Sequence, residues 1–452
     1  MVVNDDSFTS GFLPPEPEPE AAPVRVRTRF ETRPVRYALH DRRSPVFDVG
    51  LVALAFGALL FNSWIGPLTP LTILAITPLF MLLRFERIYS VLTHAWPVLL
   101  LPVLAMVSTL WSDEPVRSIR YGFLYFMTAM GAVVIGAGCD RRSILQGMML
   151  AFGLYMALSL PLGDWAAWGG SGGRAWKGLM ASKNASGDAS ALTLIISLAT
   201  LFWAVGERRW VWVVIALTFV PLSLFSLYIS KATGALAASL VALPCLFLWS
   251  LSRWIDQSWR NLIFVVSVLF VVALLATIQW WMPPLFDFVL EASGKDADLT
   301  GRSVLWAKAD ELIAERPLLG MGYEAFWVHH NLDAEFLWRE MGIRSRRGFN
   351  FHNTPRDILV ALGVVGLAIY AFTYVFSAAK LLLGTMRRPE FTGILFATLL
   401  VFESPRIWFE MIGFSTMQFA TFILFVIFAY GLRPRKTAPL GQPARLNGQL
   451  LV

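Results

Sequence analysis

The sequence predicts an all-α polytopic membrane protein with about 12 transmembrane helices. Of its 452 residues, 56% are hydrophobic and only 15% are charged, and the mean hydropathy is +0.59. A water-soluble domain of this size needs a much larger share of charged surface. Apolar runs of about 20 residues, which is the length that crosses a hydrocarbon core of ~30 Å, recur along the chain.

The predicted spans follow a polar N-terminal tail and are separated by polar turns. They are placed at 46–64, 68–84, 91–111, 119–138, 143–162, 187–206, 210–229, 232–250, 261–281, 356–377, 391–404 and 413–431. Only residues 230–234 interrupt the apolar run over 210–250, so the predicted number of spans can differ there by about one or two.

Basic residues between the spans predict the orientation. They recur on one side of the bundle at Arg84, Arg87, Arg141, Arg142, Arg208, Arg209, Arg253, Arg260, Lys380, Arg387 and Arg388. Because basic loops stay in the cytoplasm, this side is predicted to be cytoplasmic, together with the tails 1–45 and 432–452. The transmembrane domain then covers 46–431, and the loops 163–186 and 282–355 are predicted to be periplasmic. The larger loop is expected to contain short amphipathic helices.

Composition also excludes several kinds of partner and site. The N-terminal tail, rich in proline, glutamate and arginine, is predicted to be disordered, with arginines that can rest on anionic membrane lipid. The net charge of +7 is interpreted as membrane topology and not as a nucleic-acid surface. Cys139 and Cys245 predict no disulfide. The adjacent His329 and His330 are a poor metal pair, and the acidic stretch 296–298 is set aside, so no metal and no cofactor is predicted.

Basic residues also occur on the predicted periplasmic side, where they oppose the charge rule. A glycine-rich stretch contains Arg174, Lys177 and Lys183 with the amide of Asn184, and Lys231 lies between two closely spaced spans. A cation that works against the topology suggests that it binds an anion. The alternative is a polar loop whose lysines simply reach the interface.

The spacing of apolar residues predicts an amphipathic helix over 302–315. The residues that recur at helical spacing are Leu305, Trp306, Ala309, Leu312 and Ile313. Thr300 is expected to cap this helix. Arg302 at its N-terminus opposes the helix dipole, which favours a functional arginine over a salt bridge with Asp310 or Glu311.

His352 stands just before the span at 356–377. An imidazole is the usual general base near neutral pH, although a lone histidine at a membrane boundary can also be structural. Glu403 ends the span at 391–404, where a carboxylate is expensive. Asn353 or Glu403 is expected to orient His352, and the alternative for Glu403 is an ion pair with Arg406.

Two blocks of motifs share one order along the chain and one predicted side of the membrane. The first is Trp176-Lys177-Gly178, then Ser182-Lys183-Asn184 and Gly187. The second is Thr300-Gly301-Arg302, Leu305-Trp306, Pro317-Leu318-Leu319-Gly320-Met321-Gly322, Phe326, His352-Asn353, Leu359 and Leu362-Gly363-Val364-Val365-Gly366-Leu367. Over residues 170–430 this pattern resembles the O-antigen ligase and polymerase superfamily, and most closely its ExoQ-like exopolysaccharide polymerases.

The resemblance implies a bacterial inner-membrane, metal-independent, inverting glycosyltransferase. Such enzymes take a glycan from undecaprenyl diphosphate on the periplasmic face and join it to a hydroxyl. The expected partners are the lipid-linked oligosaccharide, membrane lipid, and flippase and chain-length co-polymerase proteins.

Individual roles follow from the matching motifs. The family's essential histidine and arginine correspond to His352 and Arg302, and its basic diphosphate-binding residues correspond to Lys183 and Lys231. The remaining expected contributors are Lys177 and Arg174 at the diphosphate, and Asn184, Asn353, Glu403 and Arg406 in support. The chain departs from the family at Lys231, where arginine is commoner and offers a bidentate phosphate contact. The interval between Phe326 and His352 is also longer.

Three functions remain open from the sequence. A polymerase, favoured by the closeness to exopolysaccharide proteins, would join repeat units carried on two lipids. A ligase would move a finished glycan to lipid A core or protein. A flippase or transporter, from a different class, would suit about 12 spans, but it usually carries charge within its spans, whereas here the charge gathers at one face.

Overall fold

The computed structural model describes residues 45–168, 173–278, 280, 301–346 and 349–433, with only the backbone of Glu86, Arg87 and Trp168. The predicted disordered tail, the start of the large loop with Thr300, and the acidic stretch 296–298 lie outside the described residues.

The described chain is mainly helical. Its α-helices are α1 Pro45–Leu60, α2 Asn62–Ile65, α3 Leu68–Leu83, α4 Phe85–Ala95, α5 Leu100–Val107, α6 Pro115–Val133, α7 Arg141–Leu162, α8 Lys183–Gly206, α9 Trp210–Ser230, α10 Thr233–Leu251, α11 Gln257–Ala276, α12 Arg302–Glu315, α13 Leu332–Glu340, α14 Thr354–Arg387, α15 Phe391–Arg406 and α16 Phe419–Leu432. Short 3₁₀ turns at Trp96–Leu99, Ser108–Leu110 and Ser252–Trp254 and a π-helical turn at Val134–Gly138 extend neighbouring helices.

Within the described residues, eight helical segments are long and apolar enough to cross a membrane. They are Ile88–Leu110, Pro115–Gly138, Arg141–Leu162, Lys183–Gly206, Trp210–Ser230, Thr233–Trp254, Gln257–Ala276 and Thr354–Arg387. The multi-pass membrane architecture is therefore confirmed. The remaining predicted spans coincide with α1, α3, α15 and α16, which have 14 to 16 residues and are short for a hydrocarbon core of ~30 Å.

Helix α16 lies at the centre of the bundle. Every residue from Phe419 to Leu432 is buried, as expected for a helix that is apolar on all sides. The span predicted at 413–431 starts too early, because the backbone at Gly413 is left-handed and its carbonyl accepts a hydrogen bond of 2.5 Å from the Tyr125 hydroxyl. Residues 413–418 thus form part of a folded loop at the end of the bundle.

A β-hairpin occupies the smaller predicted loop, which corrects the all-α prediction. Its strands are β1 Asp164–Trp168 and β2 Gly173–Gly178, paired antiparallel with Trp165 opposite Trp176. The two indoles meet edge to face at 5.1 Å between ring centroids, a cross-strand aromatic pair that stabilises the hairpin.

Helix α14 is broken at Gly363, and the turn 317–322 fills the break. Gly363 has φ 61° and ψ −163°, a conformation open almost only to glycine. The turn bonds to the backbone exposed there: Met321 N to Val360 O at 2.9 Å, Gly322 N to Ala361 O at 2.9 Å, and Val364 N to Pro317 O at 2.8 Å. The two motifs of the second sequence block therefore pair with each other.

Helices α12 and α13 form a separate apolar cluster on this turn. Leu305, Ala309 and Leu312 on one face of α12 pack with Trp327, Trp338 and Phe351. The α12 helix has the bounds predicted from spacing, 302–315. A salt bridge of 3.1 Å from Lys308 to Asp333 also joins α12 to α13. The cluster holds the two segments that carry the candidate residues, the start of α12 with Arg302 and the loop with His352.

Candidate active site

The N-terminus of α8 brings Lys183 and Asn184 to one end of the bundle. Ser182 caps the helix, because its Oγ accepts a hydrogen bond from Ala185 N at 3.2 Å. Gly187 lets this first turn approach the chain after α9, since a Cβ there would lie 2.1 Å from the Cβ of Ala232. The partial positive charge of a helix N-terminus adds to the charge of Lys183.

Lys231 ends α9 in a left-handed conformation, with φ 52°. Its carbonyl accepts a hydrogen bond from the Nζ of Lys183 at 3.0 Å. Its own ammonium is exposed and lies 4.9 Å from the ring centroid of Tyr228. The structure thus places Lys183 and Lys231 side by side, as the sequence motifs suggest.

Arg302 is the first residue of α12. The N-cap is Gly301 and not the expected Thr300, because the backbone turns there with φ 62°, which glycine adopts without strain. The guanidinium of Arg302 points to the Glu410 carboxylate, with 3.4 Å from Nη2 to Oε1. The alternative partners are engaged elsewhere, since Asp310 pairs with Arg356 and Glu311 with Lys308.

His352 lies in a tightly held loop before α14. Its backbone has φ 51°, a left-handed conformation that costs a non-glycine residue about 1–3 kcal/mol. The loop is held by bonds from His352 N to Asn350 Oδ1 at 2.8 Å and from Phe351 N to Asp357 Oδ1 at 2.9 Å. Strain of this kind at a candidate base points to a functional constraint.

Asn353 caps α14 and does not contact the imidazole. Its Oδ1 accepts from Arg356 N at 3.0 Å, and its Nδ2 donates to Trp408 O at 2.9 Å. Thr354 adds a hydrogen bond from its Oγ1 to Glu410 O at 2.8 Å. The start of α14 therefore anchors the segment after α15 and sets Glu410 beside His352.

Glu410 is the residue at which the site converges, and it is not among the site residues predicted from the sequence. Its Oε1 accepts from Asn184 Nδ2 at 3.2 Å and faces Arg302, while its Oε2 lies 3.2 Å from His352 Nδ1. The polar character of the segment after α15 was the only available signal. No spacing rule links position 410 to the other three.

The electrostatics of Glu410 determine the form of His352. Burial alone would raise the pKa of Glu410, but the hydrogen bond and charge of His352, followed by the charges of Arg302 and Arg406, bring it below its ordinary value. An ionised carboxylate can only accept hydrogen bonds, so it favours the tautomer with the proton on Nδ1. Nε2, which has no hydrogen-bond partner among the described residues, can then accept a proton.

Glu403 and Arg406 form a buried ion-pair triad with Asp188 instead of contacting His352. Glu403 Oε2 is 2.6 Å from Arg406 Nη1, and Asp188 on α8 pairs with Nη2 of the same guanidinium. Both α15 residues are at most 1% exposed. The carboxylate that contacts the imidazole is therefore Glu410 and not Glu403. Removing one partner of such a buried triad costs about 3–5 kcal/mol, so Arg406 holds α8 against α15.

The hairpin residues lie apart from this convergence. Lys177 on β2 pairs with Asp164 across the hairpin at 3.6 Å, and Arg174 is exposed on the same strand. Within the described chain, no hydrogen bond or ion pair joins either of them to Glu410 or His352.

The arrangement combines an oriented imidazole with fixed cations at one end of the bundle. Asn184, Arg302 and His352 meet through Glu410, and Lys231 joins them through Lys183, which is next to Asn184 in the chain. Such a site can accept a proton from a hydroxyl and stabilise a developing anion.

Comparison with known proteins agrees with this geometry. Residues 219–371, which include Lys231, Arg302 and His352, match the family described as O-Antigen ligase. The chain is also 28% identical over 411 residues to the exopolysaccharide production protein ExoQ of Rhizobium meliloti (strain 1021), across 89% of this chain and 92% of that protein. The predicted resemblance to the O-antigen ligase and polymerase superfamily, ExoQ-like proteins included, is confirmed. Both comparisons support a membrane enzyme of the glycosyltransferase-like ligase or polymerase type.

Proposed function

We propose that the protein is an inner-membrane, metal-independent, inverting polymerase that elongates undecaprenyl-diphosphate-linked oligosaccharides on the periplasmic face. The convergence of Asn184, Arg302 and His352 on Glu410 carries the proposal. It supports the proposal because an imidazole and a guanidinium on one carboxylate, with a lysine pair next to Asn184, suit proton transfer beside a diphosphate. The relative named for exopolysaccharide production supports a polymer as the product.

The reaction needs one base and a stabilised leaving group. The acceptor hydroxyl oxygen attacks the anomeric carbon, the bond from that carbon to the diphosphate oxygen breaks, and the electron pair leaves with the diphosphate. Nε2 of His352 takes the hydroxyl proton, a contribution worth ~10²–10⁴ in rate. Arg302, Lys183 and Lys231 stabilise the charge on the departing diphosphate, where each contact is worth ~10²–10³.

Glu410 and Asn184 are positioning residues in this scheme. Glu410 holds the proton of His352 on Nδ1, and Asn184 fixes the other carboxylate oxygen. The contact of 3.4 Å between Arg302 and Glu410 is long for a hydrogen bond, so the guanidinium can turn its donors to a phosphate without losing a strong partner.

The test is elongation by purified protein of a synthetic undecaprenyl diphosphate oligosaccharide with a chelator present. His352→Ala and Arg302→Ala should each abolish elongation while the protein remains in the membrane and folded. His94→Ala and Arg316→Ala are matched controls, because these side chains are exposed and lie outside the site. Full-length polymer from either site variant would refute the assigned roles.

A ligase is the second candidate, and the description of the matched family favours it. Offering a second lipid-linked oligosaccharide and lipid A core as competing acceptors separates the two. Elongation of the oligosaccharide supports the polymerase, whereas transfer only to the core supports the ligase. In a strain lacking the protein, loss of all high-mass secreted polysaccharide agrees with a polymerase.

A further inference from the structure

A cavity of about 600 Å³ opens between α13 and the chain that follows it. The residues that set its character are Glu335, Phe336, Trp338, Arg339, Arg344 and Arg346. We refer to it as the basic cavity. Its volume falls in the range of ~300–1,000 Å³ that is usual for small-molecule sites.

The charge of the basic cavity is strongly positive. Three arginines line it, with Glu335 as the single carboxylate among its described lining residues. Glu335 pairs with Arg346 at 3.3 Å. Arg339 and Arg344 are exposed and have no carboxylate within ion-pair distance in the described chain, so two guanidinium groups remain to meet an anion.

The walls of the basic cavity also suit a sugar. The ring of Phe336 is exposed, and the Arg339 guanidinium lies 6.0 Å from its centroid. An aromatic face beside charged donors can pack on a sugar ring. Trp338 is a buried aromatic part of the same wall.

The basic cavity is connected to the candidate active site through the α12–α13 cluster. Met341, which lies next to the lining residue Gly342, packs so closely on Gly301 that a Cβ there would be 2.4 Å from its Sδ. Gly301 is the residue directly before Arg302. On the other side, the ring of Trp338 lies 5.9 Å from that of Trp327 between centroids, and Trp327 lies 5.2 Å from Phe351, the residue before His352. The cavity and both proposed catalytic residues are therefore linked through the packed side chains of the α12–α13 cluster.

We infer that the basic cavity binds an anionic segment of the glycan, so that the substrate of this enzyme carries acidic sugars. The inference rests on the proposed function. A glycan of several sugars bound at Arg302 and His352 extends beyond the reacting unit, and the cavity lies against the same α12–α13 cluster that carries these two residues. Guanidinium groups match the planar geometry of a carboxylate and can bind it with two hydrogen bonds.

The experiment measures equilibrium binding of tetragalacturonate to the full chain in phosphatidylcholine nanodiscs. The matched probe is its methyl ester, which has the same backbone without charge. The acid should bind and the ester should bind much more weakly. The double variant Arg339→Gln/Arg344→Gln should lower affinity for the acid roughly fivefold or more, and added salt should weaken binding by the wild type.

Two further variants separate this inference from the proposed function. His352→Ala should bind tetragalacturonate as the wild type does, although it should not elongate glycans. Arg316→Gln, an exposed arginine of the same region that lies outside the basic cavity, should also bind normally. Thermal unfolding confirms that each variant is folded.

Equal affinity for the acid and the ester would overturn the inference, as would unchanged binding by the double variant. A third outcome is that phosphatidylglycerol in the nanodisc competes with tetragalacturonate for the wild type but not for the double variant. That result would assign the cavity to a lipid headgroup and would also overturn the inference. Because binding needs no turnover, each of these three results leaves the proposed reaction to be judged by elongation alone.

Discussion

The Nδ1 atom of His352 lies 3.2 Å from Oε2 of Glu410, although 58 positions separate the two residues. The other oxygen of this carboxylate faces Asn184 and Arg302. One side chain after α15 therefore meets the starts of α8 and α12 and the loop before α14. The elongation rate and stability of Glu410 variants are the most direct test of whether this arrangement has a catalytic role.

Glu410→Gln should lower the rate of elongation by roughly 10²–10⁴-fold while the protein stays folded. The amide can donate to Nδ1 and so favours the tautomer that cannot take a proton at Nε2. The measurement is the single-turnover rate with synthetic lipid-linked oligosaccharide. Glu311→Gln, which loses only an exposed pair with Lys308, is the control. A Gln variant that keeps more than half the rate would contradict the positioning role.

The stability of the protein in acid should depend on Glu410. The pKa of Glu410 is lower in the folded protein than its ordinary value, so the folded state binds fewer protons and gains stability as pH rises. This contribution is fully present above about pH 5 and is lost as pH falls through the lower folded-state pKa. The difference in Tm between wild type and Glu410→Gln should shrink as pH falls below about pH 5. A difference that grows below that pH would rule out this linkage.

Gly187→Ala should lower the elongation rate while the protein stays folded. The new Cβ would lie 2.1 Å from that of Ala232, so the start of α8 must move away from the chain after α9. This separates Lys183 from Lys231, and a misplacement of about 1 Å can cost roughly 10²-fold in rate. Gly57→Ala, where nothing lies within 4 Å of the new atom, is the control. Equal elongation rates for the two variants would show that the spacing of Lys183 and Lys231 does not matter for the reaction.

Gly363→Ala should destabilise the protein by at least about 2 kcal/mol. The added Cβ would meet the Leu318 carbonyl at 2.2 Å, and the backbone conformation is closed to alanine. Gly342→Ala shares a positive φ but has open space around it, so it should cost only about 1–2 kcal/mol. The measurement is the free energy of unfolding of each variant, which shows whether close packing at Gly363 adds to the backbone cost. If the two values coincide, the turn 317–322 does not depend on close packing at the break.

Local signals in the sequence predicted much of the helical structure. Apolar spacing placed α12 at its observed bounds, and apolar runs located helices at each predicted span. Such signals report on neighbours within a few turns. Whether a short apolar helix such as α16 faces lipid or protein depends on what surrounds it, which a single sequence does not encode.

The sequence predicted only those residues of the candidate site that have a local signal or belong to a motif. Arg302, Lys183, Lys231 and His352 were singled out by their residue types and positions and then by the family resemblance, whereas Glu410 lies 226 positions from Asn184 and 108 from Arg302, with no motif of its own. Glu403 had a stronger local signal, since it ends an apolar run, but the buried Arg406 beside it takes that carboxylate. The β-hairpin had a usable signal in the glycines between its two tryptophan-containing strands.

The stretch between Gly322 and Phe349 is tethered at both ends, by the turn filling the α14 break and by the loop packed under His352. Where added residues form a flexible loop between such fixed ends, each doubling of loop length costs only about 0.6 kcal/mol. The exposed chain after α13 can therefore change in length at little cost in stability, while the packed residues of the α12–α13 cluster keep Arg302 and His352 in place.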